Sequence, residues 1–359
     1  MNNEEFERIA YWYLKDLIHR SLVLISKQTL DGEIKTCRVH SVMHNICFRE
    51  AQKEGILCAV NTRQLPRWSL NAFANSCRWL SLCKHRFDYY VLFSSTNPRS
   101  IFFFQENTEI FVSLKLLRVL AFVESSFLQR LTKQQLGDLI FLRYLSVTQW
   151  FEGLSDVVSS NVNLQTLIVS CSTESESQVG APILHLPSTF WESPQLRHLE
   201  LGTCYAVNPP RMVKENLQTL SWVGPTHCRK EVYSSFPNMK KLKIFCKEEL
   251  EASHIGGSSR KHIILDKLDY LDGLESLTIS ASIACFVTLQ ERCMFPLQLK
   301  MLKLSGIRIS CWDLKVIGRL KCLKALKLED VFHQEVWRIK YSSGWRLTNI
   351  LSPFFNTYV

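Results

Sequence analysis

Leu117-Arg-Val-Leu120-Ala-Phe122, Leu142-Arg-Tyr-Leu145-Ser-Val147, Leu164-Gln-Thr-Leu167-Ile-Val169, Leu196-Arg-His-Leu199-Glu-Leu201 and Leu217-Gln-Thr-Leu220-Ser-Trp222 are five copies of one six-residue phrase. Four more open at Met239, Leu274, Leu299 and Leu323, so successive copies start 25, 22, 32, 21, 22, 35, 25 and 24 residues apart. Within each copy the second and third apolar residues are two apart, which points both side chains to one side of a short strand. The residues between and after them face solvent. One such unit cannot bury its own apolar side, so neighbouring units must stack.

That period and that phrase are those of leucine-rich repeats. The expected fold class is α/β: a solenoid whose strands line up as a parallel sheet on the concave side. Nine strands about 4.8 Å apart give a sheet roughly 40 Å wide, enough to hold a protein. Leu114, Leu139, Asn161, Ser193, Phe236, Leu271 and Leu320 stand three before the first strand residue, where an apolar side chain is expected, and Asn161 and Ser193 break that rule. The two long intervals imply insertions at 171–183 and 246–269, rich in Ser, Glu, Gly and Lys and expected as projecting loops. Trp150 and Trp191 are expected as packing or rim residues, and Trp222, the third apolar residue of its phrase, as core.

With 359 residues and 46% hydrophobic content the chain can bury a sizeable core. The repeat favours one elongated body over two or three ordinary domains. No run of eighteen apolar residues occurs, and Met1-Asn-Asn-Glu-Glu lacks the basic start and apolar stretch of a secretory signal. A soluble, cytoplasmic protein without a membrane span is expected. The thirteen cysteines include no Cys-x-x-Cys pair, so reduced core thiols are expected in place of a disulfide framework or zinc site.

The net charge of +10 is uneven: Lys240, Lys241, Lys243, Lys300, Lys303, Lys324 and Lys327 fall on solvent-facing positions of the later strands, opposed there mainly by Glu275. Such a stripe suits an acidic protein surface, or is a solvated face that keeps the protein in solution. It lacks interleaved aromatic residues and no nucleic-acid motif accompanies it, so nucleic acid is not expected as a partner.

Ahead of the repeats, Phe6, Ile9, Tyr13, Leu14, Leu17 and Ile18 fall at helical steps and predict a helix over 4–20. Segments 22–26 and 34–39 then read as two strands around a turn containing Asp31-Gly32. A second helix is expected after Ser41, with Gly55 as its stop. Helix, hairpin and helix make the closing half of a winged-helix unit.

Tyr13-Leu-Lys-Asp-Leu-Ile-His-Arg-Ser-Leu22 and Ile34-Lys-Thr-Cys-Arg-Val-His40-Ser-Val-Met-His-Asn-Ile-Cys-Phe-Arg-Glu-Ala51 resemble the winged-helix end of plant nucleotide-binding leucine-rich-repeat immune receptors, closest to the solanaceous late-blight-resistance type. Cys77-Arg-Trp-Leu-Ser81 and Arg99-Ser-Ile-Phe-Phe103 resemble that family's junction into the repeats. The resemblance covers residues 5 to about 336. It implies a partial winged helix over 1–58, a junction and repeat cap over 59–110, about nine repeats over 111–332 and an atypical tail over 333–359. It also implies that His40 matches the histidine of the family's Met-His-Asp motif, which faces the phosphate of a bound ADP.

Here that motif reads Val39-His40-Ser41. A helix N-terminus exposes backbone N–H groups, so an adjacent imidazole can complete an anion site, and Ser41 can cap the helix in place of the aspartate. The family's phosphate loop, Gly-x-x-x-x-Gly-Lys-Ser/Thr, does not occur in this chain. With no loop to hold a nucleotide, His40 also reads as a helix-start residue without a ligand, and ADP or ATP is expected only with a nucleotide-binding region present.

His40 and His44 have the spacing of a zinc-protease pair, but Ser41 stands where the general-base glutamate is required. No Gly-x-Ser-x-Gly elbow occurs. No catalytic residue and no metal are expected. Leu65-Pro66 faintly resembles the start of an F-box, without the apolar pattern that should follow.

The resemblance implies a non-enzymatic recognition module of plant innate immunity, from a truncated receptor, that restrains a nucleotide-binding region and helps sense a pathogen effector or a guarded host protein. Contacts are expected at the lysine stripe and at Arg118, Arg143, Tyr144, Arg197 and His198. A leucine-rich-repeat substrate receptor of a ubiquitin ligase is the alternative, and a residual ATPase a third reading. The tail over 338–359 shows no repeat phrase and is expected to be non-homologous sequence that leaves the last repeat poorly covered.

Overall fold

A computed structural model describes residues 3–29, 32–54, 56–60, 78–82, 98–104, 116–123, 139–151, 153–170, 184–224, 228–246, 262–265, 268–281, 286–289, 295–307, 309 and 311–330. Leu114, Leu65-Pro66, Gly55, the insertion over 171–183 and the tail from 331 lie outside the described residues.

The first elements are helix α1 (Asn3–His19), strands β1 (Val23–Gln28) and β2 (Ile34–Val39), and helix α2 (Ser41–Lys53). The two strands pair antiparallel, and Gly32 takes φ +87° between them, a left-handed conformation that only glycine adopts without strain. The helix, hairpin and helix read from the sequence are thus all present. None of the residues 7–54 whose exposure is described is buried; Trp12, Tyr13 and Val42 are exposed. A unit of this size has too little apolar surface to enclose a core of its own.

Among the described residues that follow, the main element is a twelve-stranded parallel sheet. In chain order its strands are β3 (Leu57–Val60), β4 (Trp79–Leu82), β5 (Ser100–Phe103), β6 (Val119–Phe122), β7 (Tyr144–Val147), β8 (Thr166–Val169), β10 (His198–Leu201), β12 (Thr219–Val223), β13 (Lys241–Cys246), β15 (Ser276–Ala281), β17 (Met301–Ser305) and β18 (Ala325–Glu329). Between them lie two short parallel pairs, β9 (Leu184–Leu186) with β11 (Tyr205–Val207) and β14 (His262–Leu265) with β16 (Phe286–Leu289). Nine of the twelve sheet strands are those of the repeat phrase. The other three extend the stacking into the stretch expected as a junction.

Register explains why the period matters. Leu120, Leu145, Leu167, Leu199, Leu220, Leu242, Leu277, Leu302 and Leu326 stand opposite one another on successive strands. All but Leu326 are buried in one continuous core. Each such leucine removed from water contributes roughly 1.5–3 kcal/mol. A second ladder fixes the approach to each strand: the carbonyl of Arg118 accepts the N–H groups of both Arg143 and Tyr144, at 2.8 and 3.0 Å, and that of Arg143 accepts those of Gln165 and Thr166. The same double acceptance runs from Ile56 to Lys300.

Return segments close the other side of the core. They include helix α3 (Leu154–Ser160), which buries Leu154, Val157 and Val158, a 3-10 turn over Ser188–Glu192 that buries Phe190 and Trp191, and helices α4 (Lys230–Tyr233) and α5 (Cys311–Ile317). Trp150 packs on Phe190 at 5.2 Å, and Trp191 donates its indole N–H to the Asn208 carbonyl at 2.7 Å. Both tryptophans are packing residues, as expected.

Asn161 and Ser193 occupy the apolar column they were expected to break, and are wholly buried there. Short polar side chains are tolerated because they cap nearby carbonyls: Asn161 donates to Val157 at 2.6 Å and Ser193 to Leu164 at 3.2 Å. Lys214 holds the same column position in its repeat and donates its ammonium to the Trp191 carbonyl. Burial pushes the pKa of that ammonium down.

Three expectations need correction. Trp222 is only half-buried: the pairing of β12 with β13 shifts between Ser221 and Val223, so Trp222 is the extra residue of a bulge and Val223 packs on the core instead. The insertion over 246–269 is not loop throughout, because His262-Ile-Ile-Leu265 supplies the β-branched apolar residues of strand β14. The cysteines are not uniformly reduced core thiols: Cys228 and Cys246 are buried, Cys37, Cys47 and Cys322 are exposed, and Cys204 is disulfide-bonded.

Candidate protein-interaction face

Because strands alternate, the side opposite the leucine row carries the residues expected to make contacts, and the registers sort them into columns. The column just ahead of the strands holds Arg78, Arg99, Arg118, Arg143, Gln165, Arg197, Gln218, Lys240, Glu275, Lys300 and Lys324, each set by the shared-carbonyl ladder. Tyr144, Thr166, His198, Thr219 and Lys241 form the next column. Lys243, Thr278, Lys303 and Lys327 form a third.

At the middle of the sheet the winged-helix half meets this face. Arg197 donates to the carboxylate of Glu7 on α1 at 2.5 Å; its side chain is only 7% exposed while that of Glu7 is 54% exposed. Lys241 lies 4.0 Å from Glu33, at the start of β2's hairpin arm. His198, beside Arg197, shares a hydrogen bond of 3.0 Å with the Thr219 hydroxyl. Burial pushes the His198 pKa down; the carboxylates of Glu7 and Glu200 oppose this, and the charges of Arg197 and Lys241 reinforce it. Burial likewise pushes the Tyr144 phenol up, against a hydrogen bond with Ser146 and with help from Glu200.

The lysine stripe is less free than its sequence suggests. Lys300 pairs with Glu275 at 2.8 Å, Lys243 lies 3.9 Å from Glu200, and Lys303 and Lys327 converge on Glu329, the former at 2.6 Å. Burial would raise the Glu329 pKa, but the hydrogen bonds and charges of the two ammoniums win and hold it below the usual carboxylate value. Lys243 also sits over the Trp222 ring, 5.6 Å from its centre, and Trp222 meets Phe245 edge-on. Lys324 is exposed, and Lys240 half-exposed.

His40 and Ser41 stand apart from this face, at the start of α2. The backbone N–H of Val42 donates to His40 Nδ1 at 3.3 Å, so the cap at the helix start is the imidazole and Ser41 is the first helical residue. That hydrogen bond holds the imidazole at the helix start with Nδ1 as the acceptor. His44, four residues on, stacks on Phe48. The phosphate loop Gly-x-x-x-x-Gly-Lys-Ser/Thr does not occur in this sequence.

The sheet and its winged-helix half both have counterparts. Residues 97–312 match the model of a leucine-rich repeat region, and residues 1–47 that of the disease resistance protein winged helix domain. The chain belongs to the leucine-rich-repeat family. Two late blight resistance protein homologs of Solanum demissum are 28% and 27% identical to it over 94% of the chain. The ToMV susceptible protein tm-2 of Solanum lycopersicum is 25% identical over 68% of the chain. This family member spans about a quarter of the length of these relatives: 26%, 26% and 29%. Among its described residues no helix is long and apolar enough to cross a membrane.

Sequence reasoning missed the carboxylates Glu200 and Glu329, whose partners include lysines of other repeats that only register brings close, and Glu7 and Glu33, which the docking of the N-terminal elements on the sheet brings to it. It also left Arg78 and Arg99 in the junction. Their signal was present: Arg78-Trp-Leu80 and Arg99-Ser-Ile101 repeat the spacing of Arg118-Val-Leu120 and Arg143-Tyr-Leu145.

Proposed function

We propose that this chain is a non-enzymatic protein-recognition module of a plant intracellular immune receptor, working in the cytoplasm. Its solenoid restrains a nucleotide-binding region and takes part in sensing a pathogen effector or a guarded host protein. The observation that carries this reading is the seat of α1 on the sheet face through Glu7 and Arg197. A winged-helix half that cannot bury its own apolar residues is held against a recognition surface, so a partner competing for that surface acts on the winged helix as well. The names of the relatives in Solanum support the immune setting. Arg118, Arg143, Tyr144, Arg197, His198 and the lysines of the later strands are the residues through which contact is made, with acidic protein surfaces as the complementary chemistry.

The test is a chimera in which this chain replaces the matching segment of a full-length relative, expressed in leaf tissue. Arg197→Glu should release cell death without any pathogen protein, and adding Glu7→Arg should silence it again. Cell death that ignores both changes, with protein levels equal, overturns the restraint.

A further inference from the structure

We infer that Arg78, Arg99, Arg118 and Arg143 form a docking strip for an extended, acidic segment of a partner protein, whose carboxylates alternate along its chain. The inference rests on the recognition reading above and names the partner chemistry for one end of the face.

The four arginines are neighbours by construction. The Arg78 carbonyl accepts the N–H groups of Arg99 and Ser100, that of Arg99 accepts those of Arg118 and Val119, and that of Arg118 those of Arg143 and Tyr144. Adjacent strands lie about 4.8 Å apart, so the four Cα atoms span roughly 14 Å. All four are exposed. Among the described residues none of them makes an ion pair, whereas the lysines of β13, β17 and β18 have Glu200 and Glu329 beside them. Four like charges side by side across a sheet are mutually unfavourable. A carboxylate ligand relieves that repulsion, and guanidinium binds carboxylate through two parallel hydrogen bonds.

An extended peptide places same-side residues about 6.8 Å apart, so acidic residues at three alternate positions cover the same roughly 14 Å when the peptide runs across the strands. The residues next to the strip favour a peptide over nucleic acid. Leu116, Ile140 and Phe141, two or three positions ahead of Arg118 and Arg143, are 44%, 53% and 45% exposed. Trp79, 55% exposed, follows Arg78. Arginine with tryptophan and phenylalanine is the composition enriched at protein interfaces, and the aliphatic Leu116 and Ile140 offer nothing to a sugar-phosphate chain; because Trp79 and Phe141 are also able to stack on bases, an oligonucleotide probe is the deciding comparison.

The experiment uses the full chain and a fluorescent twelve-residue peptide with glutamate at alternate positions and small apolar residues between, read by anisotropy. Two comparison probes are a peptide of the same composition with its glutamates clustered and a single-stranded oligonucleotide of equal charge. The alternating peptide should bind best, and Arg118→Ser with Arg143→Ser should weaken it at least about tenfold, while Arg319→Gln with Lys321→Gln, exposed residues outside the contact face, changes it less than about twofold. Equal loss from the Arg319 and Lys321 pair, equal binding of the clustered peptide, or tighter binding of the oligonucleotide each overturns the inference. The replaced arginines are exposed, and an unchanged unfolding midpoint establishes that the variant is folded. Failure here leaves the restraint by Arg197 intact, because that is read by cell death in the chimera and not by the peptide.

Discussion

Glu7 and Arg197 are 190 residues apart in sequence and 2.5 Å apart in space, one half-exposed and the other nearly sealed from water. The asymmetry decides what each substitution does. Glu7→Ala leaves a buried guanidinium without its carboxylate and should cost about 1–3 kcal/mol. Arg197→Met keeps the aliphatic stem and removes the charge that needs a partner, so its cost should be smaller. Urea unfolding of the two variants gives the comparison. Equal losses would mean that the unpaired guanidinium carries no penalty beyond the lost ion pair.

The same corner of the sheet makes stability depend on pH. The His198 pKa is held below its ordinary value by burial, with Glu7, Glu200, Arg197 and Lys241 as the charges around it. The unfolded chain therefore takes up a proton near pH 6.5 that the folded chain still refuses. Stability should rise with pH up to about 6.5 and fall as pH drops through that range towards the lower folded value. His198→Gln should flatten this part of the profile. A slope that survives the substitution would assign the titration to another group.

At the far edge of the sheet the same direction has a different cause. Lys303 and Lys327 hold the Glu329 carboxyl below its ordinary value, so its contribution is present at neutral pH and lost as pH falls through the folded value. All three side chains are about a third or more exposed, and an ion pair of that kind is worth about 0–1 kcal/mol. Glu329→Gln should therefore lower the unfolding free energy by no more than about 1 kcal/mol, with the difference shrinking in roughly 1 M salt. A loss that high salt leaves untouched would point to packing in place of charge.

The leucine row was legible because its cause is local: two apolar residues two apart, renewed every turn of the solenoid, can be buried only one way. Leu145, Leu199 and Leu302 are fully buried for that reason. Trp222 was misread because a single extra residue in β12 hands its core position to Val223, and a bulge leaves no mark on the count of apolar residues. The lysine stripe was legible as a set of positions but not as a field. Lys243 meets Glu200 from two strands away, and Lys303 meets Glu329 from the next, so its charge depends on which repeats are neighbours. The seat of α1 on Arg197 could not be read at all, since nothing in either segment refers to the other.

Gly306 closes β17 with φ +67°, and its amide donates to the Glu329 carbonyl on β18 at 3.0 Å. Two independent demands exclude a side chain there. The left-handed conformation costs a non-glycine residue of order 1–3 kcal/mol, and a Cβ would sit 2.3 Å from the backbone oxygen of Ala281 at the end of β15. That oxygen belongs to the neighbouring strand and cannot rotate away. Gly306→Ala must therefore push β17 from β15 or unwind the end of the strand, and should cost more than the conformational term alone, roughly 3 kcal/mol or above. Gly273→Ala provides the contrast, since its Cβ would meet the Met239 oxygen at an ordinary 3.6 Å. Unfolding midpoints should fall sharply for the first and little for the second. A small loss at Gly306 would show that the turn after β17 is free to move away from β15, and that the stack is looser at this edge than at Leu199.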